Sequence, residues 1–335
     1  MRLYQCMICL PLTTLLSVNA LNLSRILNRR SVITGTTAAL VSSLPTVSSA
    51  SASSQSPQEP HDVMPSSNLS SNPTQTTNIN SNIIDSLLKV VTDPQTYSAL
   101  AYAPPNNNKN TPLILLLHGA GMNDKDILRD LADPYGEHAG LIPSLIASHT
   151  APSNLLNNFC VLAPYSYGKS SFYEEPRKKI LDFVDWAIRN QNTEDVLPLQ
   201  FDPNRIILFG FSDGATVAIE LLTTRRFSKG VICSYGYSGQ SLPSTALERL
   251  SNLPLWVFHS QDDVIFNVHN SDRLVQQLEM VNNNNINNDN NSSTRHIVRY
   301  SRYDRDPENL PSRVKGHSMG ITASKSSDLY DWMIQ

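Results

Sequence analysis

Acidic residues are absent from the first 58 positions of this 335-residue chain; the first is Glu59. Arg2, Arg25, Arg29 and Arg30 stand there instead, among many Ser and Thr. A basic, hydroxyl-rich, acid-free stretch has the composition of a targeting leader and is set apart from the fold. Long apolar runs are also missing. Neither 6–20 nor 32–47 reaches the ~18–20 unbroken apolar residues of a membrane span, so no stable span is expected in the mature chain. Cysteine is scarce, with 4 in all. Cys6 and Cys9 fall in the leader, while Cys160 and Cys233 lie in apolar runs and read as small buried hydrophobes, which excludes a disulfide framework. No His, Cys, Asp or Glu cluster has metal-ligand spacing, and no phosphate-cradling loop or nucleotide fingerprint is present. Neither a metal nor a cofactor is expected. Charged residues make up only 16% of the chain, with a net charge of -3 and no basic run, which sets nucleic acid aside as a partner. Nothing in the sequence specifies an oligomeric state.

The leader, 1–58, holds two apolar stretches. The first, 6–20, has the form of a secretory core region. The second, 32–47, follows Arg29-Arg30 and ends near Ala50-Ser51-Ala52, the form of a twin-arginine export signal. Stacked signals point to a plastid and its thylakoid lumen. A single secretory signal followed by a stalk is the other reading, and both take the chain out of the cytosol. Residues 59–81 are rich in Ser, Asn, Pro, Gln and Thr, cannot bury a core, and read as a disordered linker. The globular domain is placed at 82–335, with an Asn-rich stretch at 282–294 expected as an inserted surface loop. Asn290 and Asn291 each begin an N-x-S/T sequon.

Within the domain, continuous apolar runs at 113–117, 159–163, 205–209, 230–235, 255–258 and 296–300 fit strands buried on both faces. Helical spacing between and after them predicts helices over 176–190, 213–225, 271–280 and 324–334. Strands alternating with helices imply a mostly parallel sheet with helices on both faces, an α/β three-layer sandwich. Sites in such sheets lie beyond the carboxyl ends of the strands. Every chemical motif of this chain falls at such an end.

Gly210-Phe211-Ser212-Asp213-Gly214 follows one of these runs and leads into a helix. Strand, G-x-S-x-G, helix is the setting of a nucleophile elbow, so Ser212 is the candidate nucleophile. A serine hydrolase needs N–H donors for its oxyanion. The residue after the nucleophile, Asp213, supplies one candidate, and Ala120 in Leu117-His118-Gly119-Ala120-Gly121 supplies the other. His118, directly after a buried strand, reads as a residue that orients this loop. Downstream, Phe258-His259-Ser260-Gln261-Asp262-Asp263 brings a carboxylate to a strand end; the spacing favours Asp263, with Asp262 the competing choice. His259 reads as serving the turn. His317, flanked by Gly316 and Ser318 before the last helix, is the candidate base, with His296 the alternative and His269 too close to the acid. Met122, Tyr165 and Phe172, in the segments 122–150 and 165–175, are candidates for a substrate pocket.

Leu117-His118-Gly119-Ala120-Gly121, Ala163-Pro164, Gly210-Phe211-Ser212-Asp213-Gly214, Tyr237-Ser238-Gly239, Phe258-His259-Ser260-Gln261-Asp262-Asp263 and Gly316-His317-Ser318 occur in that order. The set resembles the phospholipase/carboxylesterase group of α/β hydrolases, which includes the acyl-protein thioesterases, over roughly 97–335. The resemblance implies that fold and a Ser-His-Asp triad acting on a small-molecule ester or thioester. Asp213 stands where acyl-protein thioesterases usually carry Gln, Ser260 where Gly is usual and Asn267 where Pro is usual. A serine peptidase of the same fold and a non-catalytic ligand-binding protein remain as alternatives.

Overall fold

The central apolar runs have no polar face, so each needs cover on both sides. A computed structural model describes residues 87–167, 171–236, 242–288, 298–308 and 313–335, all within the unit Pro73–Gln335. Its strands are β1 (Lys89–Thr92), β2 (Ser98–Tyr102), β3 (Leu113–Leu117), β4 (Cys160–Pro164), β5 (Ile206–Phe211), β6 (Lys229–Cys233), β7 (Leu255–Ser260) and β8 (Val298–Tyr303). They form one 8-stranded sheet in the order β1-β2-β4-β3-β5-β6-β7-β8. The run from β4 to β8 is parallel, and β1 and β2 join antiparallel at one edge.

The helices are α1 (Ile127–Ala132), α2 (Ile142–Ala147), α3 (Ser153–Asn158), α4 (Arg177–Asn190), α5 (Asp213–Leu222), α6 (Ser244–Ser251), α7 (His269–Asn288), α8 (Met319–Lys325) and α9 (Ser327–Ile334). Side chains alternate across a strand, and β3 divides accordingly. Leu113, Leu115 and Leu117 join one core with residues of α4 to α7. Ile114 and Leu116 join the other with α1 to α3, α8 and α9. The result is the expected α/β three-layer sandwich. Because β3, β5 and β7 run parallel, their carboxyl ends open at one edge of the sheet.

Several elements differ from the sequence reading. β1 and β2 are too short for a clear period, and three of the four β1 residues are exposed. α1, α2, α3 and α6 span only six to eight residues each. The single helix expected over 324–334 is two, because the backbone is extended at Ser326 (φ −80°, ψ 111°). The Asn-rich stretch is not a loop from its start: α7 continues through Asn288. Leu274, Val275 and Leu278 anchor this helix in the core, and extending a nucleated helix is far easier than starting one. The leader, the linker, both sequons, Tyr237-Ser238-Gly239 and His296 lie outside the described residues. Among the described residues no helix is long and apolar enough to cross a membrane.

The start of α5 lies directly on the end of β3. A methyl at Gly214 would stand 2.2 Å from the Leu117 carbonyl oxygen and 2.6 Å from that of His118. Gly214→Ala is expected to destabilise the fold by about 3 kcal/mol or more. Thermal unfolding followed by circular dichroism checks this; an unchanged midpoint would mean that these elements do not touch.

Candidate active site

β5 carries the chain to Ser212, and α5 begins at the next residue. Ser212 has φ 56° and ψ −122°, a region that costs a non-glycine residue ~1–3 kcal/mol. Two backbone bonds hold it there: Ser212 N–H donates to Cys233 O at 2.9 Å, and Ala215 N–H donates to Ser212 O at 2.9 Å. Although Ser212 occupies the N-cap of α5, its hydroxyl makes no capping bond. The hydroxyl turns instead to His317, with Oγ 2.8 Å from Nε2.

His317 Nδ1 lies 2.8 Å from Asp263 Oδ2. An ionised carboxylate only accepts, so Nδ1 carries the proton and Nε2 is left to accept the Ser212 hydroxyl. The rings of Phe211 and Phe266 flank the imidazole at 5.5 and 5.4 Å between centroids. Asp263 Oδ1 accepts the N–H groups of Ile265 at 2.8 Å and Phe266 at 2.9 Å. Burial alone would raise the Asp263 pKa, but hydrogen bonds from His259 and His317 outweigh it and hold the group at about 2. Asp262 turns elsewhere: its Oδ1 accepts from the Ser260 hydroxyl and from Asp306 N–H. Of the two aspartates, Asp263 is therefore the one joined to His317. His269 sits exposed at the start of α7 and pairs with Asp272 at 3.1 Å.

The loop after β3 lies against Ser212. A methyl at Gly119 would be 3.0 Å from Ser212 Cβ. The Ala120 N–H has no acceptor among the described residues, and Asp213 is the first residue of α5. His118 ties this loop to the one after β4. Its Nε2 accepts Ser166 N–H at 3.1 Å, so the proton sits on Nδ1, which bonds Gly119 O at 2.7 Å. Burial pushes the His118 pKa down to about 4, which keeps the ring neutral.

The phospholipase/carboxylesterase family model matches residues 103–301. The chain belongs to the phospholipase/carboxylesterase family. The matched stretch includes Ala120, Ser212 and Asp263 and ends before His317. No curated protein matches the chain. Among solved structures, a thermostable esterase aligns at 23% identity with a TM-score of 0.55, covering 76% of this chain and 64% of that one. The chain therefore spans less than two thirds of that esterase's length, and the likeness is one of fold. A putative dienelactone hydrolase from Klebsiella pneumoniae aligns at 13% identity and TM-score 0.49, covering 74% of this chain and 98% of its own. The Bacillus cereus carboxylesterase aligns at 18% identity and TM-score 0.40, covering 70% and 93%.

In this phospholipase/carboxylesterase-family chain the loop bearing His317 is held by residues that the sequence did not single out. Asp306 is buried, and its Oδ2 accepts Ser318 N–H at 2.7 Å. Gly316 has φ 73°, and a Cβ there would stand 2.2 Å from the Asp262 carbonyl carbon. No local pattern marks Asp306, because its partner lies 12 residues further on. His138 was equally unmarked. It is buried 6.0 Å from the His118 ring and 6.2 Å from the Phe211 ring, its Nδ1 has no partner among the described residues, and burial pushes its pKa down to about 3.

The pocket expectation needs correction. Met122, Tyr165 and Phe172 are 1%, 2% and 0% exposed and pack into the two cores. Each is apolar enough to be drawn inside, and the Tyr165 hydroxyl finds partners in Asp124 O and Asp130. They support the loops of the site from behind. Beside the Ala120 loop opens a depression of about 580 Å³ lined by Gly121, Asn123, Asp124, Lys125 and Asp130, which is polar rather than aromatic. Among the described residues no group of three or more His, Cys, Asp or Glu is placed to hold a metal ion.

Asp263 yields a pH prediction. Its pKa is held at about 2 against an ordinary 3.8, so its ionised form adds stability, roughly 2 kcal/mol, above pH ~4. That contribution disappears as the pH falls through ~2. The stability gap between wild type and Asp263→Asn, measured by urea unfolding, is expected to be steady from pH 7 to ~5 and to shrink below. A gap independent of pH would contradict the assigned partners.

Proposed function

We propose that this chain is a serine hydrolase that cleaves carboxylic esters or thioesters through an acyl-enzyme. The observation that carries the proposal is the continuous line from Ser212 Oγ through His317 to Asp263, with both links at 2.8 Å. His317 Nε2 takes the Ser212 proton as Oγ bonds to the substrate carbonyl carbon. The carbonyl oxygen becomes an oxyanion, which the N–H groups of Ala120 and Asp213 receive; each such donor contributes ~3 kcal/mol to the transition state. The dipole of α5 adds favourable potential at the same end. His317 then gives its proton to the departing alcohol or thiol as the bond to the carbonyl carbon breaks. Water repeats the sequence on the acyl-enzyme, losing a proton to Nε2, and the acid product leaves with Ser212 reprotonated. Asp263 keeps the ring in the productive tautomer and stabilises its cation. The acid-free stretch 1–58 supports export of the chain from the cytosol, to a plastid or into the secretory pathway.

Short- and long-chain p-nitrophenyl esters assayed beside an aminoacyl-p-nitroanilide test the reaction class. Ester hydrolysis is expected in the wild type and a loss of about 10⁴-fold or more in Ser212→Ala. Preferential cleavage of the anilide would make the chain a peptidase. Saturable ester binding without turnover would make it a binding protein.

A further inference from the structure

His259 ends β7 four residues before Asp263 and is fully buried. Its Nδ1 lies 2.7 Å from Ser271 Oγ on α7. Its Nε2 lies 2.9 Å from Phe266 O and 3.3 Å from Asp263 Oδ2. A carbonyl and a carboxylate are both acceptors, so Nε2 must carry a proton. The Phe266 carbonyl thereby fixes the tautomer, and in the neutral ring Nδ1 accepts the Ser271 hydroxyl, which anchors the ring from its other side.

Building on the proposed triad, we infer that His259 is a positioning residue for the reaction, holding through its Nε2–H both Asp263 and the Phe266 carbonyl. Asp263 is ringed by N–H groups: Ile265 and Phe266 donate to Oδ1, His317 to Oδ2, and His259 Nε2, bonded to Phe266 O, stands 3.3 Å from Oδ2. Together they keep the carboxylate facing His317 and favour its ionised form. Phe266 is held at the same time, its carbonyl by His259 and its N–H by Asp263, and its ring packs 5.4 Å from the His317 ring. A single imidazole N–H thus restrains the two groups that set where His317 stands. A residue that merely filled the turn would affect stability and leave the proton chemistry untouched.

The test compares two variants by kcat, KM and pH profile on a p-nitrophenyl ester, with Ser212→Ala as control. His259→Asn places an amide near the δ position and loses the ε donor. Its kcat is expected to fall about 10- to 100-fold with KM within about 3-fold of wild type. The acid limb of its log kcat profile gains a second ionisation, because Asp263 now protonates within the working range. His259→Gln places an N–H near the ε position, and is expected to recover kcat to within about 3-fold of wild type and a single-ionisation limb. Wild-type kcat and limb shape in His259→Asn would overturn the inference, as would equal impairment of a folded His259→Gln. If His259→Asn does not fold, Ser271→Ala decides, since loss of the hydroxyl that anchors the ring through Nδ1 is expected to lower kcat ~3- to 10-fold; an unchanged kcat overturns the inference. Turnover that vanishes in Ser212→Ala but is unchanged in His259→Asn removes this inference alone. Turnover that survives in Ser212→Ala removes the serine mechanism and the inference with it.

Discussion

The hydrogen bond from Ser212 Oγ to His317 Nε2 joins residues 105 positions apart in the chain. Nothing local brings them together. Their separation is fixed by the parallel strands, which present β3, β5 and β7 at one edge of the sheet. β5 delivers Ser212 on a strained backbone, β3 lays Gly119 against it, and β7 delivers the carboxylate that orients the imidazole. Strain at Ser212 is tolerated because Cys233 O and Ala215 N–H fix the residue on both sides. The same close approach forces Gly at 214, where the turn of α5 meets two backbone carbonyls.

The site also separates its histidines by environment. His118 and His138 are buried near the Ala120 loop and held neutral, at about 4 and about 3, with burial the main cause in both. Neither ring is cationic at neutral pH. His317 lies between the Ser212 hydroxyl and an ionised carboxylate, an arrangement in which an imidazole exchanges protons. His259 presses on that carboxylate from its other side. Asp262 and Asp306 hold the loop carrying His317 by backbone bonds instead of by touching the ring.

Much of the arrangement was legible in the chain. Ser212, Asp263 and His317 each follow a pattern readable within a few residues: a strand leading to G-x-S-x-G, a strand ending in an acid, a His among small residues. The long strands were visible because burial on both faces removes polar residues entirely. What escaped depended on contacts that no local pattern marks. Asp306 acts on Ser318, His259 on Asp263 through a shared turn, and His138 is defined only by rings contributed from elsewhere. Position after the Ala120 loop suggested a pocket at Met122, and aromatic content after a strand end suggested one at Tyr165 and Phe172, but burial took those side chains into the cores. Asparagine content suggested a loop after 282, yet packing of the preceding turns carried α7 on to Asn288.

The most direct measurement is to map the site of a fluorophosphonate adduct by peptide mass spectrometry and to time its formation in wild type and His317→Ala. The account predicts a single adduct on the peptide containing Ser212, formed at least about 100-fold more slowly without the imidazole. An adduct on another serine, or labelling of Ser212 at the same rate in His317→Ala, would contradict it.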